Sequence, residues 1–175
     1  AQSVGIVWED QTLTTLNTAS TTNTAGYSYT QNNYITLTTA AGNQHNSIYW
    51  QQNPGHSWSC NFDIWWGSGT GADGISFAVY QTSVPSDCYT NNGGFIVTFT
   101  EYNNKIQINT PSSGIIVISS SYTSIVPAST WAKVFITFTM GLLRVYVNGN
   151  HIGYAEVQDV ASVTEALNTY IAITG

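Results

Sequence analysis

Charge is what this chain has least of. Its 175 residues include three Lys and Arg against nine Asp and Glu, so 7% are charged and the net charge is −6; globular chains average about 25% charged. So few cations remove the attraction to phosphate that dominates nucleic-acid binding. DNA and RNA are thereby excluded as partners. No apolar run approaches the roughly 20 residues of a membrane-spanning helix, so no membrane span is expected. The N-terminus, Ala1-Gln2-Ser3, has no basic or apolar leader and reads as a processed mature end. An Asn-x-Ser/Thr sequon is missing too, since Asn109-Thr110-Pro111 has the wrong spacing.

Catalytic patterns are equally scarce. His45, His56 and His151 lie in turn-like sequence without a nucleophile motif. Glycoside hydrolysis needs two carboxylates across a cleft, and acids two apart on a strand would share a face. Here Glu9 and Asp10 are adjacent, while Asp63, Asp87, Glu101, Glu156, Asp159 and Glu165 are scattered. The chain reads as a non-enzyme. It has no zinc-type Cys/His set and no acidic calcium loop. Hence no cofactor is expected, although calcium held by Asn, carbonyl and one carboxylate oxygen is an arrangement the composition allows.

What is present in quantity is Thr, Ser and Asn, a third of the chain, with 42% apolar and 13% aromatic residues. That is too apolar for a disordered chain, and the length suits one domain with about 70% of its unfolded surface buried. Apolar and β-branched residues alternate in short runs, which predicts an all-β chain. The expected strands are Val4 to Trp8, Tyr34 to Thr38, Ser47 to Trp50, Trp58 to Trp66, Gly74 to Tyr80, Gly94 to Tyr102, Lys105 to Asn109, Ile115 to Ile118, Lys133 to Met140, Leu142 to Val147, His151 to Glu156 and Asn168 to Thr174. So many short strands in one domain predict an antiparallel β-sandwich of the jelly-roll kind. A single helical turn is expected around Val163 to Leu167. Residues 1–26 divide off as an apolar strand plus a Thr-rich extended connector over 11–26, and residues 27–175 form the sandwich domain.

Cys60 and Cys88 are compatible with one disulfide, in keeping with an extracellular chain; the other reading is two unpaired thiols, one buried in a strand. In the chain-entropy account such a bridge contributes about 3 to 4 kcal/mol.

Two segments carry possible ligand chemistry: Gly71-Ala72-Asp73-Gly74 at the mouth of a strand, and Asn91 to Asn104 with its paired glycines. A neutral sugar asks for a carboxylate, backbone N–H and amide groups, and an aromatic face for its C–H side. Asp73, the bare backbone of Gly93 and Gly94, Asn103 or Asn104, and Tyr102 supply these types. The plainer reading is that the glycines only make turns and Asp73 caps a loop.

The succession Tyr34 to Thr38, Ser47 to Trp50, Trp58 to Trp66, Gly71-Ala72-Asp73-Gly74-Ile75-Ser76-Phe77 and Gly93-Gly94-Phe95 resembles the L-type (legume-type) lectins of the concanavalin A-like lectin/glucanase fold. Trp131 to Val134, Leu143 to Gly149 and Tyr170 to Gly175 are similar to later strands of those domains. The resemblance implies Asp73 as the sugar-binding carboxylate, following a cis Ala72–Asp73 peptide, with Gly94 giving its N–H and Asn104 its amide. It requires the Asp73 loop and the Gly93-Gly94 turn to meet at one rim. Two departures accompany it. Where the family alternates metal-binding acids, this chain has Thr98, Thr100, Tyr102 and Asn104, so the metal pair is expected to be missing. Where a further strand would follow Thr174-Gly175 the chain stops, leaving a sheet edge that Val4, Ile6 and Trp8 could fill in their own or a neighbouring subunit.

Two functions follow. One is an extracellular, non-catalytic module binding glycans through Asp73, Gly93, Gly94, Tyr102, Asn103 and Asn104. The other is a structural subunit of a filament or particle surface, a homo-oligomer assembled through exchange of the Val4 to Trp8 strand.

Overall fold

A computed structural model of the chain describes residues 17–20, 28–29, 35–37, 46–51, 55, 57–66, 74–80, 94–110, 114–156 and 170–174. Val4 to Trp8, Asp73, Cys88, Gly93, the Ala72–Asp73 bond and the helical turn at 163–167 lie outside them.

The described strands are β1 (Asn17–Ser20), β2 (Ser28–Tyr29), β3 (Ile35–Thr36), β4 (Asn46–Gln51), β5 (Ser57–Ile64), β6 (Ile75–Tyr80), β7 (Phe95–Thr100), β8 (Lys105–Thr110), β9 (Gly114–Ser119), β10 (Ala132–Thr139), β11 (Leu142–Val147), β12 (Asn150–Glu156) and β13 (Tyr170–Thr174). One helical turn, α1 (Tyr122–Ile125), follows β9. They form a seven-stranded sheet in the order β1-β4-β13-β6-β7-β8-β9, a four-stranded sheet β12-β11-β10-β5, and a small β2-β3 pair. All the pairings are antiparallel. The chain is the expected all-β sandwich.

Period-two patterning places the core. In β10, Ala132, Val134, Ile136 and Phe138 are buried while Lys133, Phe135 and Thr139 are exposed. Trp58 of β5 lies 5.8 Å from Phe77, 5.9 Å from Phe95 and 5.6 Å from Phe138, ring centre to ring centre, so one indole ties both sheets together. Tight turns set the registers. Met140-Gly141 and Asn148-Gly149 both have positive φ at each residue, the backbone that two-residue hairpins need. Lys133 N–H donates to Asn148 Oδ1 at 2.9 Å, and Asn148 N–H donates to Lys133 O at 2.8 Å, anchoring the second turn on β10.

Several expectations need correction. Part of the 11–26 connector is strand: β1 pairs with β4, Asn17 opposite Tyr49 through Ser20 opposite Asn46. Its polar sequence carries no apolar alternation because an edge strand is held mainly by backbone hydrogen bonds. Strand β13 is not an edge. It pairs with β4 on one side and β6 on the other, and the pairing expected of Val4 to Trp8 falls outside the described residues. β7 stops at Thr100 rather than Tyr102, because the chain turns over 101–104.

Candidate functional site

Antiparallel pairing decides which candidate residues can meet. β6 and β7 are neighbours, with Ile75 opposite Phe99 and Val79 opposite Phe95. The start of β6 therefore lies beside the end of β7, and the start of β7 beside the end of β6. Gly74 sits against the first junction. Its φ is +135°, and a Cβ there would come 2.0 Å from Phe99 O. Gly94 sits against the second, where a Cβ would come 1.7 Å from Val79 O. Six residues of strand, roughly 20 Å, separate the two levels. Contrary to the expectation of a shared rim, Gly94 is at the opposite end of the β6–β7 ladder from Gly74. Its missing side chain serves the close approach of two backbones. The sequence held the clue: strands that neighbour each other in an antiparallel sheet cannot both begin at the same rim.

The Gly74 end brings together the β7–β8 turn and α1. Asn104 closes the turn, its N–H donating to Glu101 O at 3.2 Å, with φ at +58°, a conformation Asn tolerates better than most side chains. Its side chain then faces α1. Asn104 Oδ1 accepts from Thr123 N–H at 2.7 Å and from Thr123 Oγ1 at 3.0 Å, Nδ2 donates to Ser120 O at 3.3 Å, and Tyr122 N–H donates to Asn104 O at 3.2 Å. Its acceptor capacity is thus spent on the protein, leaving one amide hydrogen for any ligand. Thr100 Oγ1 is hydrogen-bonded to the Asn103 side chain and accepts from Lys105 N–H at 3.2 Å. Tyr102, at 74% exposure, and Asn103 are the open side chains of this turn.

Beneath them lies an aromatic floor of Tyr122, Trp66 and Phe99. Tyr122 is buried, 5.7 Å from the Trp66 ring and 6.4 Å from Phe99. Trp66 Nε1 donates to Val126 O at 2.8 Å, and Ser129 N–H donates to Trp66 O, fastening the segment after α1 to the end of β5. Burial, and then the carboxylate of Glu101, push the Tyr122 hydroxyl well above the ordinary tyrosine range. Tyr122 therefore stays neutral.

The metal question turns on the donor set. Calcium takes six to eight oxygens with carboxylates among them. Thr98 and Thr100 offer buried neutral hydroxyls, Tyr102 and Asn104 lie past the end of the strand, and no three His, Cys, Asp or Glu side chains cluster among the described residues. By themselves these positions do not make such a cage.

The expected Cys60–Cys88 bridge is not formed at its Cys60 end. Cys60 carries a free thiol. It occupies an inward position of β5, opposite Ile136, and packs against the core; burial pushes its pKa up to about 12.

No protein-family profile and no curated protein sequence matches the chain. Solved structures do. The metal-free exoplasmic/lumenal domain of VIP36 superposes with a TM-score of 0.67 at 13% identity, covering 91% of this chain and 77% of that one. The same domain in its Ca2+/Man3GlcNAc-bound form gives 0.63 at 12%, covering 91% and 75%. A carbohydrate recognition domain of Emp46p gives 0.61 at 10%, covering 93% and 80%. At these identities the likeness concerns the fold. Among the described residues no helix is long and apolar enough to cross a membrane. The layered strands, their order and these superpositions together give this chain the fold of the L-type lectin domains, a concanavalin A-like β-sandwich.

Proposed function

We propose that the chain is a non-catalytic, lectin-like module for neutral glycans, working outside the cytoplasm without a metal pair, and that its sugar site lies at the Gly74 end of the seven-stranded sheet. The observation that carries this is the seating of Gly74 against Phe99 and Thr100. It sets the residue following Asp73 at the end where the 101–104 turn exposes Tyr102 and Asn103. A carboxylate from Asp73, the ring of Tyr102 and the amide of Asn103 would then supply the acceptor, stacking face and donor that a pyranose needs. Asn104 acts mainly as the brace that fixes the turn, and Gly93 and Gly94 act at the far end in strand packing. The structures of similar fold described as mannose-bound or as carbohydrate recognition domains support the ligand class.

A glycan array, read with and without calcium, tests the reading. Wild type is expected to retain a set of neutral glycans in chelator, Asp73→Ala to lose them, and Tyr102→Ala to weaken them tenfold or more. Binding unaffected by both substitutions would move the site elsewhere.

One observation favours the structural-subunit reading. Among the described strands, β9 (Gly-Ile-Ile-Val-Ile-Ser) ends the order of the seven-stranded sheet, and it exposes Ile115 at 60%. An uncharged apolar edge accepts added strands, and Val4 to Trp8 is of matching character. Deleting residues 1–10 should then reduce assembly size in sedimentation; a monomer before and after the deletion would end that reading.

A further inference from the structure

The outer face of the four-stranded sheet carries a second constellation, remote from the Gly74 end. Four rings follow one another across three strands. Phe135 of β10 is 5.7 Å from Tyr146 of β11, Tyr146 is 5.1 Å from His151 of β12, and His151 is 6.4 Å from Tyr154. Phe135 is 39% and Tyr154 59% exposed. Between and beside them Leu142, Arg144, Tyr146, His151, Tyr154 and Glu156 line a shallow concavity of about 420 Å3.

A backbone irregularity builds this row. In the β11–β12 pairing Val145 faces Gly153, but Tyr146 faces His151, so Ile152 is an extra residue in β12. The bulge keeps both Ile152 and Gly153 on the inner side, Ile152 against the core and Gly153 against Ile118 of β9. It also turns His151 outward beside Tyr146. With simple alternation Ile152 would take that place. Bulges commonly re-aim a side chain in this way.

The chemistry selects the ligand. Phe135, His151 and Tyr154 are exposed and Tyr146 between them is half-buried; such a row offers aromatic surface with little depth, which suits the flat C–H faces of sugar rings. Arg144 supplies only donors and Glu156 only acceptors, and both charges lie in one concavity, so the surface favours a net-neutral molecule bearing both kinds of group. The net charge of −6 disfavours a polyanion. We propose that this face is a second carbohydrate-binding surface, taking a neutral oligosaccharide chain laid across β10, β11 and β12 over Tyr146, His151 and Tyr154. It shares no residue with the Gly74 end and stands or falls independently of it.

Titration of the 15N-labelled full chain with cellohexaose, xylohexaose and mannohexaose, mapped by amide shifts and quantified by calorimetry, tests the proposal. At least one probe is expected to perturb residues 144–146 and 151–154. Tyr154→Ala should weaken that probe tenfold or more at these residues, and Tyr154→Phe should keep most of the affinity. An intact melting profile for Tyr154→Ala separates lost binding from lost folding. Shifts confined to the Gly74 end, no shifts with any probe, or affinity unaltered by Tyr154→Ala would each overturn the proposal. Concentration-dependent self-association abolished by Tyr154→Ala would overturn it too, and assign the face to a second copy of the chain.

Discussion

Asn104 holds Thr123 by two hydrogen bonds to one oxygen, 2.7 Å from the backbone N–H and 3.0 Å from the hydroxyl, while its own backbone is left-handed at φ +58°. One residue thus closes the β7–β8 turn and braces α1 above it. Replacement by Ala removes the bonds and puts a less tolerant side chain at positive φ. The expected loss is about 2 kcal/mol, or a fall of roughly 4 to 8 °C in Tm for a chain of this size. Asn104→Gly relieves the backbone but not the lost brace and should fall between. Thermal unfolding of the three proteins checks the order; an alanine variant melting with wild type would contradict it.

The two close-packed glycines should be intolerant for a reason unrelated to ligands. A Cβ at Gly94 would come 1.7 Å from a carbonyl oxygen, whereas one at Gly55, with φ +76°, meets nothing within 4 Å. Gly94→Ala is therefore expected to cost about 3 kcal/mol or more through forced separation of β6 and β7. Gly55→Ala should cost only about 1 kcal/mol of backbone strain. Denaturant midpoints distinguish them, and equal shifts would argue against the close approach.

Alkaline pH should destabilise the fold through Cys60 and Tyr122. Both are held protonated by burial, Cys60 with its pKa pushed from 9.0 to about 12 and Tyr122 raised above 10.0. Between pH 9 and 12 the unfolded chain releases the Cys60 proton while the folded chain keeps it, so the folded state binds more protons and stability falls as pH rises. Tyr122 adds to the same slope above pH 10. Urea midpoints measured across this range should decline, and less steeply in Cys60→Ala.

The Cys60 thiol should also be unreactive while the fold is intact, since the thiolate is the reactive form and its sulfur packs against the core. At pH 8 a disulfide reagent such as DTNB is expected to modify Cys60 only on addition of guanidinium. Rapid labelling of Cys60 in native protein, located by peptide mapping, would show that the sulfur is reachable.

Local patterning made much of the fold legible. Alternation in Ala132 to Thr139 and Leu142 to Val147, with Met140-Gly141 and Asn148-Gly149 between and after, specifies strands and hairpins without reference to anything distant. Where stability comes from elsewhere, the sequence is silent. β1 is a polar segment recruited by the edge of β4. α1 is four residues long, too short to form alone, and is held by Asn104 and by the Trp66 bond to Val126.

The candidate site divides along the same line. Residue types suited to a neutral ligand, and the scarcity of charge, are properties of composition and were settled by the chain itself. Which of those residues share a rim was not, because strand neighbours and their direction depend on pairings between segments far apart in sequence. Only folding sets Gly74 beside Phe99 and sends Gly94 to the opposite end. Only the extra residue in β12 brings His151 next to Tyr146.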